Sequence, residues 1–359
     1  MTEKKNICVT IRSLSNGGAE KQSILLTSAL QSAHNAFLLV LDEQPLLEKH
    51  LNTARKAGVE LVFLKGNTLS KARQFFRLVR ERKLEVIIGH LPSDTFFTGL
   101  LGRVAGVRYI FGGLRNAWVA RHKLIAMQLM HNLVLNYSIS NSHAGKKFLD
   151  KHGFNARKTL VYANGIEIQT PPIVRTGRDR VQAITVGRFV AQKDFMGAID
   201  AVARVMQDPE AREVFHYHIV GYGELEADIR AHITLRGLDK AITVHINPPN
   251  LPELYQQADM YVCSSIFEGV SNTVMEAMMY SLPVVATDVG DNAVLVKNDH
   301  NGYIVPSKDP TILAGKITEL IHSPDKRARF GQNSYEIIRD SYSFERFQQN
   351  YLSLIASLR

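Results

Sequence analysis

Apolar positions along this chain follow two alternating rhythms. Short runs such as Asn6-Ile-Cys-Val-Thr-Ile11 are apolar nearly throughout, the pattern of strands covered on both faces. Between them lie longer stretches whose apolar residues recur three and four apart, the spacing of helices with one buried side. In the first half this reading predicts strands over 6–11, 36–41, 59–63, 86–89, 108–111 and 137–140. Helices are predicted over 19–32, 46–57, 71–83, 96–105 and 122–135. A polar segment with Pro171-Pro172 interrupts the pattern, which then resumes. Strands are expected at 182–186, 216–220, 242–246 and 260–264, and helices at 194–206, 223–236 and 251–257. A helix, a turn and a strand ending at Thr287 follow, and 311–359 reads as helical. Strands alternating with helices predict an α/β protein with parallel sheets. At 359 residues two domains are expected: 1–168, a linker over 169–178, 179–340, and a terminal helix over 341–359.

Composition narrows the class. Cys8 and Cys263 both sit inside apolar runs and read as core residues, which fits a reducing cytoplasm. No apolar run approaches the length of a membrane span, and the first residues lead into a strand without a secretory leader. Charge is uneven: residues 1–170 hold 24 Lys and Arg against 11 Asp and Glu, and the rest hold 19 against 23. The first half is therefore expected to face something anionic. Its densest basic helix, 71–83, aligns Arg73, Arg77 and Arg80 on one stripe. That stripe is either a solvated face or a reversible contact with anionic lipid. Nucleic acid is not expected, because no nucleic-acid motif accompanies the charge.

Candidate chemistry concentrates between Glu268 and Glu276, two carboxylates separated by Gly-Val-Ser-Asn-Thr-Val-Met. The segment reads as strand, loop and helix start, the place where open parallel sheets bind ligands. Backbone N–H groups from Gly269, Val270, Ser271 and Asn272 at a helix start suit a diphosphate, and the carboxylates suit hydroxyls. A capping box between Thr273 and Glu276 accounts for the same residues without any ligand. Upstream, Gly187 and Arg188 end a strand and Lys193 precedes a helix; a guanidinium and an ammonium there can grip phosphate oxygens. Gly17-Gly18 follows the first strand and lets a ligand approach backbone, or simply turns the chain.

The spacing of Glu268 and Glu276, followed by Pro283-Val-Val-Ala-Thr287 and Gly290, resembles the donor site of retaining nucleotide-sugar glycosyltransferases of family 4. Gly187-Arg188 with Lys193, Gly17-Gly18-Ala19-Glu20 and Gly221-Tyr222-Gly223 are similar to further motifs of its polysaccharide-building members. The resemblance implies a glycosyltransferase-B fold: two Rossmann-like domains facing a cleft, with the last helix returning to the first domain. It implies a metal-independent, retaining transfer from a nucleoside-diphosphate sugar, UDP before GDP, with no cofactor. The acceptor would be a glycan or a polyprenyl-diphosphate-linked glycan of bacterial polysaccharide, lipopolysaccharide or capsule assembly, met at the inner face of the cytoplasmic membrane. Arg188 and Lys193 would hold the diphosphate, Glu268 the sugar and Glu276 the ribose. Gly221, Ile246 and Asn247 would frame the base.

Two departures stand out. Asn247-Pro248-Pro249 replaces the glycine usual after the strand at 242–246. Arg115, followed by Asn116, stands near the usual acceptor-side histidine, and an arginine cannot serve as a base. His90 and His122 are the other acceptor-side candidates. A sugar-nucleotide epimerase or hydrolase, or a non-catalytic nucleotide-sugar-binding subunit, remain the competing functions.

Overall fold

The computed structural model describes residues 4–15, 17–114, 121–175 and 180–358. Seven strands form the first sheet: β1 Asn6–Ile11, β2 Asn35–Val40, β3 Leu61–Phe63, β4 Val86–Gly89, β5 Tyr109–Leu114, β6 Tyr137–Ser140 and β7 Thr159–Val161. Six form the second: β8 Val181–Arg188, β9 Phe215–Tyr222, β10 Ile242–Ile246, β11 Met260–Cys263, β12 Val284–Thr287 and β13 Gly302–Val305. Their orders are β3-β2-β1-β4-β5-β6-β7 and β10-β9-β8-β11-β12-β13. Neighbours pair in parallel, with Ile7 opposite Ala36 on one side and Val86 on the other.

Helices cover both faces of the first sheet, which is why its strands are apolar on both sides. Beneath one face Ile24, Leu26 and Leu30 pack with Tyr351 and Ile355. Beneath the other Phe75 and Val79 pack with Ile110 and Met130. Tyr351 and Ile355 lie on the last helix, Phe344–Ala356, so the chain's end completes the first core. Burying each such side chain is worth about 1.5–3 kcal/mol, enough to decide where this helix belongs.

The described residues of 1–165 and 344–359 form one compact unit, and those of 166–343 form the second. Gly165 belongs to the first, exchanging two hydrogen bonds with the Gln22 side chain at 2.7 and 3.0 Å. Within the second, Ile166 N donates to Tyr342 O at 2.9 Å. The proline-bearing segment read as a linker packs on the second unit as far as it is described. Arg175 is buried and donates to the carbonyls of Ala258, Ser281 and Tyr255. Residues 176–178 of that segment lie outside the described residues.

Several elements escaped the periodicity. β7 and β13 are three and four residues long, too short to show a rhythm. The helix His143–Lys151 was not anticipated, although Ser142 caps it by accepting from Gly145 N. The terminal helical stretch divides into Pro310–Ile321, Pro324–Ser341 and Phe344–Ala356. Pro324 opens a helix there because a first-turn N–H has no intrahelical acceptor to lose.

Candidate active site in the second unit

In the second sheet, β8 continues to β9 on one side, while its other neighbour, β11, continues to β12 in the opposite direction. This reversal opens a crevice at the carboxyl ends of β8 and β11. Two segments distant in sequence meet there. From the end of β8 a short 3-10 turn, Ala191–Lys193, leads to Asp194, which adopts a left-handed backbone with φ of 47°. Asp194 caps the helix Phe195–Val205 by accepting from Gly197 N at 3.2 Å. The turn lays the Lys193 stem over Gly187, where an added Cβ would stand 3.2 Å from Lys193 Cε.

Lys193 Nζ then lies 2.6 Å from Glu268 Oε1, and Ser265 Oγ donates to the same oxygen at 2.8 Å. Both charged side chains are largely buried, 17% and 8% exposed. Burial alone would lower the Lys193 pKa, but the adjoining Glu268 carboxylate outweighs it and raises the value. The ammonium is therefore a fixed positive charge at neutral pH. Backbone contacts hold the loop that presents Glu268. Gln192 Nε2 donates to Phe267 O at 2.8 Å and Gln192 O accepts from Ile266 N at 2.9 Å. Ser264 Oγ donates to Lys193 O at 2.8 Å, and Thr287 Oγ1 to Ser265 O at 2.5 Å. Gly290 closes the far side with φ of 58°. A Cβ there would fall 2.4 Å from Glu268 O and 2.5 Å from Gly269 O, so only glycine fits.

The helix after this loop runs Asn272–Met279, with Ser271 at the N-cap position. The capping box read between Thr273 and Glu276 does not form, because the helix begins earlier than that box requires and no side chain caps it. Thr273 instead accepts from Tyr261 OH at 2.8 Å. The first-turn N–H groups, with no intrahelical acceptors, carry the positive helix end beside Glu268. Glu276 lies further along the same helix, half-buried, with Tyr255 OH 3.5 Å from its Oε2. Burial, and then the Glu276 charge, hold the Tyr255 phenol protonated. Arg188 is exposed at the end of β8; its carbonyl accepts from Val190 N at 2.9 Å, while its guanidinium has no hydrogen-bond or ion-pair partner among the described residues.

The turns predicted to frame a base lie on β9 and β10. A Cβ on Gly221 would stand 1.8 Å from Gly187 O, so close strand packing demands glycine. Asn247 N donates to Gly221 O at 3.1 Å, and Asn247 has φ of 43°. Asparagine is among the few side chains that tolerate this left-handed backbone, so it fills the position that glycine would occupy. Ile246 is 38% exposed beside it.

In the first unit, Gly17 precedes the helix Gly18–Gln31 in extended backbone. A Cβ at Gly17 would lie 2.3 Å from Glu20 Oε2, the end of a flexible side chain that would have to shift. Glu20 is itself buried, with Oε1 accepting from Ser15 Oγ at 2.7 Å. His90 is buried after β4, and His122 is exposed in the helix Arg121–Leu129. Arg115 and Asn116 lie outside the described residues. Arg73, Arg77 and Arg80 are exposed on the helix Thr68–Glu81. The sequence reading passed over Asp94, a fully buried carboxyl that accepts from His90 N at 2.7 Å and Thr10 Oγ1 at 3.0 Å. Burial pushes it up to about 7 against the lowering effect of those bonds. Pro92 two residues before it marks a helix start, the signal that could have revealed its capping role.

Residues 170–337 match the family model described as glycosyl transferases group 1. Spore coat protein SA of Bacillus subtilis is 32% identical over 111 residues, 30% of this chain and 29% of that protein. The putative colanic acid biosynthesis glycosyltransferase WcaL of Escherichia coli is 25% identical over 242 residues, 64% of this chain and 58% of that one. The matches thus span less than two thirds of these relatives' own lengths. Anabaena Alr3699/HepE, solved in complex with UDP, shares the fold with a TM-score of 0.85 at 18% identity, over 98% of this chain and 100% of that one. The expected glycosyltransferase-B fold is thereby borne out, as two parallel-sheet α/β domains. The stretch matched by the glycosyl transferases group 1 model, residues 170–337, holds both Lys193 and Glu268.

Proposed function

We propose that this protein transfers a sugar from a nucleoside diphosphate, UDP before GDP, to an acceptor hydroxyl, with retention at the sugar carbon and without a metal ion. The observation that carries the reading is the buried Lys193–Glu268 pair at the crevice of the second sheet, beside a helix N-terminus without a side-chain cap. Arg188 and Lys193 supply positive charge for the diphosphate, and the amides from Gly269 to Asn272 add the helix end. Glu268, oriented by Lys193 and Ser265, accepts hydrogen bonds from hydroxyls of the transferred sugar. Glu276, further along the same helix, accepts from the ribose. Gly221, Ile246 and Asn247 flank the base. On the first unit, the Gly17-Gly18 loop is assigned to the donor, and Arg115, Asn116, His90 and His122 are assigned to the acceptor side.

Such a site stabilises charge and positions two substrates. As the bond to the diphosphate breaks, charge develops on its oxygen, where Arg188 and Lys193 meet it. The departing oxygen takes the proton of the attacking hydroxyl on the same face, so no enzymic base is required. The names of relatives such as the putative colanic acid glycosyltransferase support assembly of bacterial surface glycans. The acceptor is proposed to be lipid-linked, with Arg73, Arg77 and Arg80 toward an anionic membrane at the cytoplasmic face. No helix among the described residues is long and apolar enough to cross a membrane.

The test is a melting-temperature panel of UDP, GDP, ADP, CMP and their sugars on wild type and Arg188→Ala. Ligand at a hundred times its Kd stabilises by about 2.7 kcal/mol, a readily measured shift. One nucleotide family should stabilise the wild type and do so less in the variant, and turnover of the variant should fall by roughly 10²–10³. Absence of any shift, or equal shifts in both proteins, would remove the basis for the donor site.

A further inference from the structure

Eleven large hydrophobic side chains are exposed among the described residues, and seven of them lie on three neighbouring helices of the first unit. These are Thr68–Glu81, Pro92–Val104, and Arg121–Leu129 with its continuation Met130–Val134. Their inner sides share one core beneath the first sheet, through Phe75, Leu101 and Met130. Their outer sides therefore turn away from the sheet together. The helices adjoin: Arg103 Nε donates to Val134 O at 3.0 Å, while Phe76, Arg80, Lys83 and Ala105 line an open depression between the first two.

The outer sides carry a pattern. Leu100 and Val104, and then Ile125, Leu129 and Leu133, recur at four-residue spacing, which aligns them along each helix. Val104 and Leu133 are 77% and 76% exposed. Between Pro92 and Val134 the sequence contains a single carboxylate, Asp94, and that one is buried. Arg73, Arg77, Arg80, Arg103 and Lys123 are all exposed on the same three helices. An apolar stripe on the second and third helices with a basic border, where Glu81 at the end of the first helix is the one exposed carboxylate of the three, is the chemistry of a surface that enters the headgroup boundary of an anionic bilayer.

We propose that this face docks on an anionic lipid surface, with Leu100, Val104, Ile125, Leu129 and Leu133 inserted among the acyl chains and the basic residues on the phosphates. A second copy of the chain is the weaker occupant. A two-fold contact would set the same basic border against itself, with no exposed carboxylate on the two apolar helices to pair with it. The inference deepens the membrane-facing part of the proposed function by naming the inserted residues, but needs neither the donor nor the transfer step to be as proposed.

The test mixes the full chain with vesicles of phosphatidylcholine, or of equal parts phosphatidylcholine and phosphatidylglycerol, and measures co-sedimentation at rising salt. Wild type should pellet with the anionic vesicles, less so at high salt, and hardly at all with the neutral ones. Arg77→Ala/Arg80→Ala should weaken partitioning about thirtyfold, taking about 1 kcal/mol for each basic residue near the surface. Leu129→Asp/Leu133→Asp should abolish it without changing the melting temperature; if that pair does not fold, Leu100→Asp/Val104→Asp is read instead. Absence of pelleting, or pelleting unchanged in the aspartate variants, overturns the proposal. So does self-association of vesicle-free protein that those variants abolish while vesicles capture nothing. UDP-dependent stabilisation measured on the same variants separates failure here from failure of the donor site.

Discussion

The Lys193–Glu268 pair permits a quantitative test by double-mutant cycle with Lys193→Met, Glu268→Gln and both together. At 2.6 Å and an effective dielectric near 20, the gross attraction is about 6 kcal/mol. Withdrawing both ions from water returns several kcal/mol of this. A net coupling of about 2–4 kcal/mol is expected. Lys193→Met leaves Glu268 almost buried with the Ser265 hydroxyl on Oε1, and an uncompensated buried charge costs about 3–5 kcal/mol. In a domain of this size that lowers the melting temperature by roughly 10 °C. The double variant should lose less than the sum of the two single ones, by the coupling energy. Its pH dependence follows from the raised Lys193 pKa. The stabilisation is fully present below the unfolded lysine value, about 10.4, and disappears as pH rises through the higher folded value. Calorimetric unfolding at neutral pH and near pH 11 measures both effects. Additive losses, within about 0.5 kcal/mol, would refute the idea that the two charges hold each other in place.

Other outcomes follow from the same geometry. Gly290→Ala forces a Cβ against Glu268 O and Gly269 O in a left-handed backbone. It should cost about 1–3 kcal/mol in calorimetry and weaken nucleotide binding by displacing the loop. Glu268→Gln should retain nucleoside diphosphate binding by calorimetric titration while turnover falls strongly; wild-type transfer would sink the assigned role. Asp94 has its folded pKa raised to about 7, so its protonated form favours the native state, and wild-type stability should fall as pH rises from about 4 to 7. Asp94→Asn should flatten that profile in thermal melts, and an unchanged slope would contradict the assignment.

Much of this protein was legible in its residues. Apolar runs located strands at β1 and β4 because a strand covered by helices on both faces needs apolar side chains nearly throughout. The carboxylates and the helix start between Glu268 and Glu276 were also readable, since loop, glycine and helix signals are local. Asn247 was less so. The sequence marked a missing glycine, and its positive φ shows that asparagine can take up the same backbone.

What residue order alone determined was the alternation of elements, the uneven charge and the types of side chain available at each strand end. Tertiary structure decided which ends meet. Lys193 and Glu268 are 75 residues apart, and only the β8-β11 adjacency brings their charges into contact. The same is true of the last helix, whose pattern shows one apolar side but not which core receives it. It is true also of Leu100, Val104, Ile125, Leu129 and Leu133, which look like ordinary core residues in sequence. Hydrophobic periodicity reports that a side chain is apolar. Whether neighbouring elements cover it depends on strand order and helix placement, which are settled by long-range packing.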